Sequence, residues 1–217
     1  MSKRNDLSFR EKVDLNQKYD CEYCGKRKRS WLSRYCDFCN NRKTRSGHPS
    51  GYLVSKRELN PIIAEVLRIV HQNKDTHEGI KIGIDTFVRL ITESHRGTSE
   101  LPEAAKPLKL LHDPDPAILR SYAESQLVMA AAVFRFMETR PGRFKDFMHF
   151  KGNLAHRVLT VMPRIKHIGF NAKMALADYI MSRLGVLLQN INSAADRLAE
   201  KQADDEQLFK NELGVQP

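Results

Sequence analysis

Every cysteine of the chain lies within one short stretch, at Cys21, Cys24, Cys36 and Cys39, and that placement constrains the fold more than any other feature. Each pair is Cys-x2-Cys, close enough to grip one metal ion through a turn. The eleven residues between the pairs can bring the second round to complete a tetrahedron. The opening "MSKRNDLSFREK" has no apolar leader, and nowhere do about 20 apolar residues run together, as a membrane span would need. A soluble, cytoplasmic or nucleoid-associated protein is therefore expected, in a compartment where thiols stay reduced. The pattern points to one structural Zn²⁺ held by all four cysteines, with an iron–sulfur cluster or a redox dithiol as the alternatives. Four sulfurs leave no open coordination position, so zinc chemistry on a substrate is not expected.

The two pairs differ in the residues that come after them. Gly25 stands directly after Cys24 and permits the dihedrals of a tight knuckle. After Cys39 the chain runs "NNRKTRSGHP", and a glycine with a proline two positions on is a helix stop. Cys36 and Cys39 are thus expected to open a short helix ending near Ser46. A knuckle and then a helix resembles the treble-clef zinc finger; a zinc ribbon, with its second pair on a hairpin, is the other arrangement. HNH-type nucleases are similar in their cysteine pairs, but they need a histidine in the motif. The loop "GKRKRSWLSRY" has none, and His48 stands outside the second pair.

Charge is segregated along the chain. Of the net +10, residues 1–60 carry +8 and residues 135–173 carry +7, while 61–134 carry −2 and 174–217 carry −3. Such alternation suits a partner of opposite charge, and nucleic acid is the reading preferred over an acidic protein. In the finger the candidate phosphate contacts are Lys26, Arg27, Lys28, Arg29 and Arg34 in the loop and Arg42, Lys43 and Arg45 on the expected helix. Trp31 and Tyr35 lie between them; Trp31 is read as filling the finger's small core. In the second basic region a helix projected from Arg143 places Phe144, Phe147, Met148, Leu154, Ala155, Val158 and Leu159 on one stripe. Arg143, Lys145, His149, His156 and Arg157 fall on the other side, continued by Arg164, Lys166 and His167.

The rest of the chain reads as helices. Ser55 and Glu58 form a capping box before Ile62, Ile63, Val66, Leu67 and Val70, with Asn60-Pro61 as a second start. Ile80, Ile84, Phe87, Leu90 and Ile91 make the next apolar face, ending at Gly97. Prolines 102, 107, 114 and 116 break up the stretch from 97 to 115, the best candidate for a linker or an irregular crossover. Asp115-Pro116 caps a long apolar helix that stops at Pro141-Gly142. Finally Ala177, Ile180, Leu184, Leu187, Ile191, Ala194 and Leu198 repeat at heptad spacing, suited to the domain's own bundle or, second, to a partner helix or self-association.

The expected organisation is mainly α: an arm over 1–18, a four-cysteine finger over 19–50, an all-α domain over 55–199 and an acidic, flexible tail over 200–217. No HExxH, Walker, GxSxG or GxGxxG motif occurs, and no small-molecule substrate or membrane role is indicated. The expectation is a non-enzymatic protein that binds DNA or RNA through both basic regions. A protein-protein adaptor in a nucleoprotein or transcription complex is the alternative, and a divergent nuclease ranks third.

Overall fold

The computed structural model describes Ser8, Glu11 and residues 20–28, 33–100, 102–110, 115–163 and 168–212, with side chains as far as Lys201. Among these, seven α-helices succeed one another: α1 Asp37–Ser46, α2 Lys56–Asn73, α3 Glu78–Arg96, α4 Pro102–Ala105, α5 Pro116–Thr139, α6 Phe147–Leu159 and α7 Phe170–Glu212. No strand is present among the described residues, only an isolated antiparallel bridge between Asp20 and Arg27. The chain is mainly α, with the cysteine cluster ahead of an all-helical body.

Helix α5 is the axis of that body. Residues 126–136 are buried without interruption, so this stretch of the helix has no solvent face and must be surrounded. Helices α2, α3, α6 and α7 all pack on it. Ala130, Ala131 and Ala132, all fully buried, keep one turn of it thin and let neighbours approach. Phe87 of α3, Phe136 of α5, Phe150 of α6 and Ile180 of α7 have no exposed surface or nearly none, and each contributes about 2 kcal/mol through burial.

Local signals set the helix ends. Ser55 accepts from the Glu58 N–H and Glu58 reaches back to the Ser55 N–H, the full capping box, so α2 begins there and carries Pro61 inside it. The Asp115 carboxylate accepts from the Ala117 N–H at 2.8 Å, and Gly97 closes α3 at φ 71°. The proline-rich stretch after Gly97 is no linker: Ala104, Ala105, Leu108 and Leu110 are buried, and α4 packs on α3 and α7.

Three expectations need correction. Helix α6 starts at Phe147, not Arg143, because Asp146 is its N-cap and accepts from the His149 N–H at 2.7 Å. Arg143 lies on a 3₁₀ turn, Pro141–Arg143. Phe147 and Met148 are exposed, while His149 and Arg157 are buried. Helix α7 continues to Glu212, so most of the acidic tail expected to be flexible is helical. In α2, Leu67 faces solvent. The heptad positions are used within the chain: Ala177, Ile180, Leu184 and Ile191 are buried in the body.

A single buried cation ties three helices together. Arg135 of α5 donates to Glu65 of α2 at 2.9 Å and to Asp196 of α7 at 2.7 Å. Removing one partner of such a pair leaves a desolvated charge behind. Arg135→Met should therefore be tolerated better than the double substitution Glu65→Ala/Asp196→Ala, which strands the guanidinium and should cost about 3 kcal/mol or more. Urea unfolding of the two variants measures this directly, and a less stable Arg135→Met would contradict it.

Candidate metal centre and adjoining basic surface

The first cysteine pair lies on a knuckle. The Cys21 N–H donates to the Lys26 carbonyl at 2.7 Å and the Gly25 N–H to the Cys21 carbonyl at 3.0 Å. This turn needs Gly25 at φ 70°, a left-handed conformation that costs glycine little. The second pair opens a helix, with Cys36 as the N-cap of α1 and the Asn40 N–H bonded to its carbonyl. The Glu22 N–H donates to the Arg34 carbonyl at 3.2 Å, holding the two halves side by side.

The four sulfurs lie within 4.8 Å of one another, and those of Cys24 and Cys36 are 3.6 Å apart. A tetrahedron with metal–sulfur bonds of about 2.3 Å has edges of about 3.8 Å, so the cluster is sized for one ion. No disulfide joins any of them. Cys21, Cys36 and Cys39 are buried and Cys24 is exposed. Burial opposes ionisation of Cys21, yet backbone N–H groups of Cys24, Cys36 and Tyr23 outweigh it and bring the thiol down to about 6. Burial, and after it hydrogen bonds with the other thiols, drives Cys39 well above its ordinary value. The protein scaffold alone thus favours one thiolate and resists another. A divalent cation would supply the charge that allows all four to ionise.

The finger is joined to the body by close backbone contact. Gly47 ends α1 at φ 89°; a Cβ there would lie 1.9 Å from the Met148 carbonyl oxygen of α6. A Cβ on Gly152 would lie 2.3 Å from the Ser46 carbonyl. Beyond the joint, three polar residues of α6, one turn apart, hold the segment that leads into α2. His149 Nε2 contacts the Tyr52 carbonyl at 2.9 Å, Asn153 Oδ1 accepts from the Val54 N–H at 2.8 Å, and Arg157 donates to the Val54 carbonyl. Lys173 of α7 donates to the Thr44 carbonyl at 3.0 Å, near the end of α1. Asn153 is a site residue that sequence reasoning misses, although its i±4 spacing from His149 and Arg157 signals a shared helix face.

The candidate basic residues divide accordingly. Lys26, Arg27 and Arg45 are exposed on the finger, with Lys28, Arg42 and Lys43 half-buried. Arg34 pairs with Glu22 at 3.0 Å, both well exposed, a contact worth little in water. In the second region Lys145 is exposed and Arg143 pairs with Glu58 at 2.9 Å. Arg157 is not on that surface: it is 8% exposed and engaged with Val54. His149 is likewise inside. Arg29, Trp31, Arg164, Lys166 and His167 lie outside the described residues. No described helix is long and apolar enough to cross a membrane. Phe38 and Tyr52, two exposed rings that the sequence pattern does not single out, flank Arg42 at 4.1 and 4.2 Å.

The close contact and the buried histidine can each be tested. Gly152→Val should lower stability by about 2 kcal/mol or more, because the clash is with backbone; thermal melting at wild-type level would refute the close contact. For His149, burial lowers the pKa below the ordinary histidine value, the Tyr52 carbonyl and Asp146 opposing this and His48 and Lys145 assisting it. The unfolded chain then binds more protons as pH falls past about 6.5, so stability is lost on acidification through the depressed folded value. Melting temperature should fall as pH drops through and below about 6.5, and less so in His149→Gln.

Comparison with protein-family models, with curated proteins and with solved structures gave no match to this chain, so the functional reading rests on its own residues.

Proposed function

We propose that this is a non-enzymatic nucleic-acid-binding protein whose finger is held in shape by one structural Zn²⁺ on Cys21, Cys24, Cys36 and Cys39. The donor set supports zinc: four thiolates at tetrahedral spacing suit a soft-tolerant d¹⁰ ion and leave no position for substrate.

The observation that carries the binding function is the joint between α1 and α6. It brings together basic regions about a hundred residues apart in the chain. Arg45 stands two residues before Gly47, and Lys145 stands three before Met148, whose carbonyl Gly47 meets. Tyr23 of the knuckle packs edge-on to His48 at 5.8 Å, and His48 approaches Asp146 at 3.9 Å. Knuckle, finger helix and the start of α6 therefore adjoin one another, with Lys26, Arg27, Arg45, Arg143 and Lys145 exposed around them. Cations fixed on a rigid frame neutralise phosphates and release condensed counterions.

Removing the metal should unfold the finger, since metal binding supplies much of its folding energy. Chelation should expose the N-terminal region to protease while the α2–α7 body stays protected, and Cys39→Ser should abolish stoichiometric zinc; a protease pattern indifferent to chelator would count against a structural ion. Binding is tested by fluorescence anisotropy over a salt series. Replacing Lys26, Arg27 and Arg45 together by alanine should weaken binding to all sequences and reduce the salt slope by about 2. Unchanged affinity would place the contact elsewhere, and weak, equal binding to every nucleic acid would favour the protein adaptor.

A further inference from the structure

The finger carries a group of side chains that neither the metal nor the core requires. Phe38 is 56% exposed and Tyr52 63% exposed, although rings of this size gain most by burial. The Arg42 guanidinium lies over both, 4.1 Å from the Phe38 centroid and 4.2 Å from that of Tyr52, and also bonds the Tyr52 hydroxyl. Phe38, Arg42 and Arg45 recur at i, i+4 and i+7 and so share one face of α1.

The group is fixed from beneath. The Tyr52 carbonyl is held by His149 Nε2 at 2.9 Å, and the preceding Gly51 is buried against the His149 ring. Arg42 is anchored one turn before Ser46, whose hydroxyl donates to the Arg42 carbonyl at 2.9 Å. The rings are thus presented to solvent with little further ordering to be done on binding, which lowers the entropic cost of association.

We propose that the Phe38, Arg42 and Tyr52 group stacks an unpaired base, and that the nucleic acid bound by this protein is single-stranded. The proposal rests on the nucleic-acid reading above and adds the class of strand. A base in duplex has both faces occupied by its neighbours and can offer neither to a side chain. A base in a single strand can extend a ring and guanidinium stack, while adjacent phosphates reach cations such as Arg45. This requires no base-edge hydrogen bonds, so sequence preference should be slight.

The full-length, zinc-loaded protein is titrated against oligo-dT, oligo-U, a matched DNA duplex and an oligonucleotide of equal length whose sugars are abasic. Both base-bearing single strands, or one of them, should bind more tightly than duplex, and the abasic strand should bind about tenfold more weakly than its parent. Phe38→Leu and Tyr52→Leu, with helix content and zinc stoichiometry unchanged, should each weaken single-strand binding about tenfold and leave duplex binding nearly unaltered. The DNA and RNA arms assign the sugar. Preference for duplex, or abasic and base-bearing strands bound alike, overturns the stacking proposal while leaving phosphate binding intact. Failure to bind any nucleic acid overturns both.

Discussion

The contact between Gly47 and Gly152 is the constraint on which the arrangement of the rest depends. Two backbones meet there with no space for a Cβ on either side. Without that approach, a finger of this size would hang from the body by a loop and its orientation would be free. With it, α1 crosses α6 at a fixed point, and His149, Asn153 and Arg157 can reach successive backbone groups of the connecting segment. Each of these bonds satisfies a buried polar group that would otherwise carry a desolvation cost of about 1–3 kcal/mol. The joint is thus polar as well as tight, which specifies one docking geometry where an apolar contact could slide.

This joint also explains where the positive charge of the second basic region goes. Nine cations fall between 135 and 173, but four of them work inside the molecule. Arg135 ties α2, α5 and α7; Lys151 pairs with Asp178 at 2.7 Å; Arg157 holds Val54; Lys173 holds the end of α1. Net charge along a sequence therefore overstates the field available to a partner. Among the described residues, only Arg140, Arg143 and Lys145 of this region's cations remain exposed.

The features legible in the residues alone are local ones. The turn at Gly25, the helix from Cys36 to Gly47, the capping box at Ser55 and the Asp115 cap each depend on a few neighbouring residues, and all appear at their expected positions. The error at α6 shows the limit. The apolar pattern around Phe144 and Phe147 suggests a helix from Arg143, whereas Asp146, an ordinary capping residue, starts it four positions later. Within the helix Phe147 nonetheless faces out and Arg157 in. Which cations turn inward depends on backbone groups far away, such as Val54 for Arg157, and no local pattern records such a partner. The same applies to Phe38 and Tyr52, whose common cation is evident only once the chain has turned back on itself.

A metal on the four cysteines would be coupled to the joint through α1. The ion would fix the first turn of that helix through Cys36 and Cys39, while Gly47, Ser46 and Lys173 fix its last. A ten-residue helix is too short to persist alone in water, so neither end is sufficient by itself. Phe38 lies beside the first anchor and Arg42 between the two, so each anchor would help to hold them in place. Loss of the metal and loss of the Gly152 contact should therefore disturb the same surface from opposite ends. Their effects on that surface should accordingly be less than additive, as expected for two constraints acting on one element.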